Sequence, residues 1–254
     1  MFLIDIVTLF PRVFGNFISE GVLRIAQEKE LVKINVVNFR DFSSDGRVDS
    51  RPFGGGAGMV LMAKPIILAV RYLKKNGREL SSVVLFTPSG KQYNDALAKE
   101  LSKKKGLILL CGHYEGFDER ISKLLDPLEI SVGPYILSGG EVPAMIVLDS
   151  VCRLIPGVLG NDKSLQDESY TNELLEYPQY ARPKRVYGLG VPKVLLSGNH
   201  KAISEWRKKE ALKRTKIYRP DLYLKFKSQI KTPSIKASTK RKISAKHPKL
   251  NIKN

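Results

Sequence analysis

The sequence is poor in the residues that metal-built and disulfide-built proteins depend on. It has two cysteines, Cys111 and Cys152, at no metal-binding spacing, and in a reducing compartment they read as buried thiols. Its three histidines, His113, His200 and His247, are too scattered to propose a metal site. No stretch approaches the roughly 18 consecutive apolar residues of a membrane span. The opening MFLIDIVTLF contains Asp5, has no basic region before it, and reaches Pro11 without a small-residue cleavage site. It therefore reads as a first strand and not as a signal peptide, and a cytoplasmic protein is expected. Two nucleotide signatures are also missing. Without Gly-Lys-Ser/Thr there is no Walker loop, and without a helix-opening G-x-G-x-x-G a Rossmann cofactor site is disfavoured. No internal repeat is visible.

What is present is the composition of a folded protein: of 254 residues, 43% are hydrophobic and 27% charged. That length suffices for one large or two modest domains with a real core. The charge is uneven. Residues 201–254 hold 18 Lys and Arg against 3 Asp and Glu, a net of +15 out of the chain's +18. One strongly basic end suggests a polyanion as partner, nucleic acid first. An anionic membrane surface is the competitor, but from Ser228 onward there is no sustained apolar face to bury in lipid.

Short apolar runs rich in β-branched residues recur at Leu3 to Leu9, Val32 to Asn38, Ser82 to Thr87 and Gly106 to Cys111. Between them, Pro65 to Lys74 and Tyr93 to Lys103 read as amphipathic helices. This rhythm predicts an α/β layer with a mostly parallel, buried sheet over residues 1–160. The polar, aperiodic NDKSLQDESY opens a linker over 161–172. A small helical unit follows over 173–227. Its best element begins at SGNH, where Ser197 or Asn199 can cap, and carries Ile203, Trp206 and Glu210 on one side before ending ahead of Arg219 and Pro220. After Lys227 the chain has eight basic residues and no acids, which predicts a disordered basic tail over 228–254.

Several segments could carry a site. Arg51 to Met59, RPFGGGAGM, is either a ligand-approaching loop or a surface hinge, since glycine permits both. Three others sit where strands should end: LFTPSG (Leu85 to Gly90), LLCGHYEG (Leu109 to Gly116) and SVGPYILSGGE (Ser131 to Glu141). Ligands collect at the carboxyl ends of parallel strands, and glycines there expose backbone groups. Together they predict one backbone-lined pocket suited to an adenine or purine nucleoside. Glu115, Asp118, Glu119 and Arg120 could be site residues or a solvated helix start, and the helix start is the better reading for Asp118 and Glu119. Arg153 interrupts an apolar stretch and is either a structural ion pair or an anion-stabilising group. Asp167 alone would be a surface carboxylate.

Taken in order, RPFGGGAGM, CGHYEGFDERI, YILSGGEVPAM, DSVCRLIPGVLG and LLSGNHKAISEWR, followed by RT and RPDL, closely resemble the bacterial tRNA guanine-N1 methyltransferases, the TrmD family of the knotted SPOUT class. The match extends to about Tyr223. The resemblance implies a deep trefoil knot in the parallel-sheet domain, with a small C-terminal all-helical domain. It implies S-adenosylmethionine as methyl donor, tRNA as substrate, and a homodimer in which one subunit's linker and helical domain complete the other's pocket. By the same resemblance the donor is held by Leu85, Phe86, Thr87 and Pro88; by Gly112, Tyr114 and Glu115; and by Ser131, Val132, Gly133, Tyr135, Ile136, Leu137, Gly139 and Gly140.

The implied reaction methylates the guanosine just 3′ of the anticodon, with Asp167 as general base and Arg153 stabilising charge at guanine O6. The chain departs from the family pattern at three places. Pro134 stands in Gly133-Pro134-Tyr135 where many relatives have Gly-Asp-Tyr, His113 replaces the arginine of CGRYEG, and Ser50 follows Asp49 where an acid pair is common. These leave a magnesium requirement open. Rival readings are a knotted RNA methyltransferase acting on a ribose 2′-hydroxyl or another base, and a non-catalytic RNA-binding protein.

Overall fold

The computed structural model describes residues 1–160, 169–170 and 173–231. The first apolar run forms β1 (Phe2–Thr8), and after two short helices, α1 (Gly15–Ile18) and α2 (Gly21–Glu28), the second forms β2 (Val32–Asn38). A two-residue pair, β3 (Asp49–Ser50) and β4 (Val60–Leu61), brackets the glycine-rich loop. Then follow α3 (Ala63–Leu73), β5 (Ser82–Gln92), α4 (Asp95–Leu101), β6 (Gly106–Leu110), α5 (Arg120–Leu125), β7 (Leu128–Ser131) and α6 (Glu141–Cys152).

The five long strands form one sheet in the order β2-β1-β6-β5-β7, and every pairing is parallel. A parallel sheet needs both faces covered, and the side-chain alternation supplies it. Ile4, Ile6, Val84, Phe86, Leu107 and Leu109 face Leu23, Leu97, Val147 and Leu148 of α2, α4 and α6. Val7, Val83, Leu85, Ile108 and Leu110 face Ile66, Val70, Leu73 and Ile121 of α3 and α5. Local chemistry places these helices. Pro65 sits in the first turn of α3, where its missing N–H costs nothing. The Asn94 side chain caps α4 by accepting the Leu97 N–H at 3.0 Å.

Both cysteines are free and buried, and burial pushes the Cys111 thiol well above its usual range and that of Cys152 up to about 12. They are inert core groups. Among the described residues, no helix is long and apolar enough to cross a membrane.

The chain divides into two compact units, Met1–Ser164 and Leu165–Asn254. In the second, α7 (His200–Tyr218) is capped by Asn199, whose side chain accepts the Ala202 N–H at 3.0 Å. Ala211 and Thr215 are its buried residues, and the Thr215 hydroxyl oxygen accepts the Leu175 N–H at 2.9 Å. Two features depart from the sequence reading of this unit. It is not all-helical, because Arg185–Val186 (β8) and Leu189–Gly190 (β9) pair as a short antiparallel hairpin; Gly188 at its turn has φ +83°, a conformation that two-residue hairpin loops require. The second helix, α8 (Pro220–Lys231), also continues past Lys227, where composition ends the folded part. Residues 232–254 of the expected tail lie outside the described residues.

Candidate active site

Strands β6, β5 and β7 are sheet neighbours, so the loops leaving their carboxyl ends must converge. They enclose a cleft of about 460 Å³, within the roughly 300–1,000 Å³ common for small-molecule sites. All fifteen residues that the resemblance assigns to the donor line it, from Leu85 to Gly140. The β5 wall is produced by an irregularity. Both Phe86 and Lys91 pair with Ile130, so the intervening residues bulge out of the ladder. Thr87, Pro88 and Ser89 in that bulge face the cleft, a common use of bulges near sites.

The opposite wall depends on backbone proximity. Gly140 donates its N–H to the Gly112 carbonyl at 2.8 Å. A Cβ on Gly140 would lie 2.6 Å from the Cα of Cys111, so only glycine lets α6 start there. Beside this contact is a polar chain that sequence reading missed. The Thr8 hydroxyl donates to Glu141 Oε1 at 2.6 Å and accepts the Phe10 N–H at 2.9 Å. The other carboxylate oxygen, Oε2, lies 2.7 Å from His113 Nε2. A signal was available in the acid directly after Ser-Gly-Gly at a helix start, but its partner Thr8 is 133 positions away.

The RPFGGGAGM loop lies outside the cleft and braces it. Gly54, Gly55, Gly56 and Gly58 all have positive φ, and a side chain at Gly58 would collide with that of Glu115. Glu115 donates its N–H to the Met59 carbonyl at 2.9 Å, and Leu61 donates to Gly116 at 2.9 Å. Asp118 behaves as a helix-start residue. It accepts the Arg120 N–H at 2.9 Å, and the Arg120 guanidinium beside it holds its carboxyl below the usual range. Glu119, at the N-cap of α5, also lines the cleft.

Arg153 is not brought to this cleft. It follows Cys152 at the far end of α6, and a 12-residue helix spans about 18 Å. Beyond it, Gly157 accepts from Lys29 Nζ at 3.1 Å just before β2 begins, at the amino edge of the sheet. Asp167 lies outside the described residues. Among the described residues, no group of three or more His, Cys, Asp or Glu side chains could hold a metal ion.

The family model described as tRNA (Guanine-1)-methyltransferase TrmD matches residues 2–225. A protein named tRNA (guanine-N(1)-)-methyltransferase from Dictyoglomus turgidum is 53% identical over 224 residues, covering 87% of this chain and 90% of its own. One of the same name from Carboxydothermus hydrogenoformans is 50% identical over 221 residues, covering 86% of each chain. A third, from Staphylococcus carnosus, is 45% identical over 245 residues, covering 96% of this chain and 99% of its own. The chain belongs to the TrmD family of tRNA (guanine-1)-methyltransferases.

Proposed function

We propose that the protein is a cytoplasmic, homodimeric enzyme that methylates N1 of the guanosine just 3′ of the anticodon in tRNA, using S-adenosylmethionine. The observation that carries this reading is the convergence of the three glycine-containing loops on one cleft whose walls leave no room for a Cβ at Gly140. Such a cradle suits a flat, nucleoside-like ligand held by backbone groups. When bound there, S-adenosylmethionine supplies an electrophilic methyl group. The protein's part is to hold that donor and to activate the guanine.

Guanine N1 carries a proton, and its lone pair becomes available only as that proton leaves. The Asp167 carboxylate is assigned as the acceptor, help typically worth about 10² to 10⁴ in rate. Charge then moves toward O6, and the fixed donors of the Arg153 guanidinium are assigned to stabilise it. Since Arg153 stands about a helix length from the cleft, it serves the cleft of the other copy. Exposed apolar groups beside the cleft support dimer formation: Ile136 is 80% exposed, and Val142 and Ile146, one turn apart on α6, are 51% and 39% exposed.

The trefoil knot is assigned to this domain on the family resemblance, and the contact of Gly140 with Cys111 and Gly112 seats the start of α6 against the end of β6 within it. Residues 1–160 are assigned as the knotted donor domain, 161–172 as linker, 173–231, through the end of α8, as the unit that holds tRNA, and 232–254 as a basic tail adding sequence-blind contacts. Mass mapping of the modified nucleoside after reaction with a tRNA transcript tests the whole reading. N1-methylguanosine 3′ of the anticodon is expected. Label on ribose or on another base would overturn it, and absence of both donor binding and turnover would favour a non-catalytic RNA-binding protein.

A further inference from the structure

We infer that His113, acting through the buried Glu141, is a positioning residue that sets the separation of the two glycine walls of the cleft and thereby the affinity for the donor. This rests on the proposed use of the cleft for S-adenosylmethionine.

Glu141 is 6% exposed, yet it is not an unpaired charge in the core. Oε1 accepts the Thr8 hydroxyl at 2.6 Å and Oε2 faces His113 Nε2 at 2.7 Å. A carboxylate can only accept, so the imidazole presents its Nε2–H to it. Thr8 is in turn held by the Phe10 N–H, and the Phe10 ring packs on the imidazole edge-on with centroids 4.6 Å apart. Of Thr8, Glu141 and His113, His113 alone lines the cleft. The acid therefore acts on the site through its partners.

The position of Gly139 gives this contact its consequence. A Cβ there would collide with the His113 ring and come within 2.6 Å of Glu141 Oε2. The imidazole–carboxylate contact is thus built over the Gly139 backbone, and it ties the Gly112–His113 wall to the Gly139–Gly140 wall, 28 positions apart in the chain. A buried acceptor that loses its partner bears the full desolvation cost. Without the imidazole, the first turn of α6 must shift to find water or another donor, and the gap changes. An arginine at position 113 would offer the same carboxylate a donor, so the position demands a donor and not an imidazole as such.

Isothermal calorimetry of the full chain with S-adenosylmethionine tests this, together with donor-dependent kinetics. His113→Leu and Glu141→Gln are each expected to weaken donor binding about tenfold or more. The double variant should be no weaker than the worse single one, because both remove one shared contact. His113→Arg should stay within about threefold of wild type, and in all three single variants the loss should appear in the donor KM, with kcat at saturating donor nearly kept. Unchanged donor affinity in His113→Leu, even with a lowered Tm, would mark a merely structural contact and overturn the inference. Loss of kcat without loss of affinity, or failure of His113→Arg to restore binding in a protein that still melts normally, would overturn it too. A wild-type protein that does not bind the donor would overturn the proposed function itself, a result distinct from equal binding by wild type and His113→Leu.

Discussion

The backbones of Gly140 and Cys111 pass so closely that a methyl group on Gly140 would lie 2.6 Å from the Cys111 Cα and 2.7 Å from the Gly112 nitrogen. Neither neighbour is a side chain that can rotate away. Gly140→Ala must therefore push α6 off the end of β6, with a strain cost of about 1–3 kcal/mol. A matching loss of stability in urea is expected, with donor binding weakened at least tenfold by calorimetry. Gly15→Ala is the control, since its Cβ meets nothing within 4 Å. Equal behaviour of the two variants would show that the contact yields.

Arg153 and Gly140 lie at opposite ends of α6, so a homodimer that pairs one copy's arginine with the other's cleft makes a sharp prediction. Arg153→Ala and Gly140→Ala homodimers should both be nearly inactive. Mixed and reassociated, half the dimers are heterodimers with one intact site and one doubly damaged site, which restores about a quarter of the wild-type turnover. The transcript methylation assay reads this directly. No recovery after verified subunit exchange would place arginine and cleft in the same copy.

The strands at Leu3, Val32 and Gly106 were legible because buried parallel strands read as continuous apolar runs, and the pocket segments because glycines cluster where such runs stop. Other features left weaker traces. β7 is four residues long behind Pro127, too short for a periodic signal. The extension of β5 through Pro88 and Gly90 to Gln92 contradicts local propensity and depends on pairing with β7 after the bulge. The β8–β9 hairpin has only two residues per strand. The link from Thr8 to Glu141 and His113 is wholly tertiary, so neither residue's neighbours in sequence announce it. Arg153 was recognisable as a cation in an apolar stretch, but which end of α6 it occupies relative to the cleft required the fold.

Tyr93 connects the start of α4 to α6: its hydroxyl lies 2.6 Å from Ser150 Oγ, whose own hydrogen points to the Ile146 carbonyl at 2.5 Å. Burial pushes the Tyr93 pKa from 10.0 up to about 12. A raised folded-state value means that the contribution is complete below pH 10 and is lost as pH rises toward 12. Thermal melts should therefore show Tm falling through that window. Tyr93→Phe should lower Tm at neutral pH through the lost hydrogen bond and flatten the alkaline slope. An unchanged slope would assign the alkaline loss to other groups.

Beyond Lys231 the chain carries seven Lys and Arg and no acid. Each phosphate neutralised by such a residue adds roughly 0.7 to 0.9 to the slope of log K against log salt. Truncation after Lys231 should weaken tRNA binding at low salt and flatten that slope, with donor affinity unchanged. Filter binding across a salt series measures it, and an unaltered slope would remove the tail from the RNA interface.

Asp5 lies in the middle of β1 with no exposed side-chain surface, on the sheet face that α3 covers. Its burial is tolerable because its acceptors are used: Oδ2 takes the Arg78 Nε–H at 2.9 Å and Oδ1 the Asn35 amide at 2.9 Å. Breaking a fully buried pair by removing one partner costs about 3–5 kcal/mol. The Arg78 side chain keeps 19% exposure, which lets water recover part of that loss, so about 2–3 kcal/mol is the expected cost of Asp5→Asn. It should appear as a lower urea midpoint at constant m. Asp5 does not line the cleft, and donor affinity below the melting transition should stay at the wild-type value. A midpoint unchanged by Asp5→Asn would mean that the pair's Coulomb gain only offsets its desolvation, leaving β1 held in place by its apolar neighbours alone.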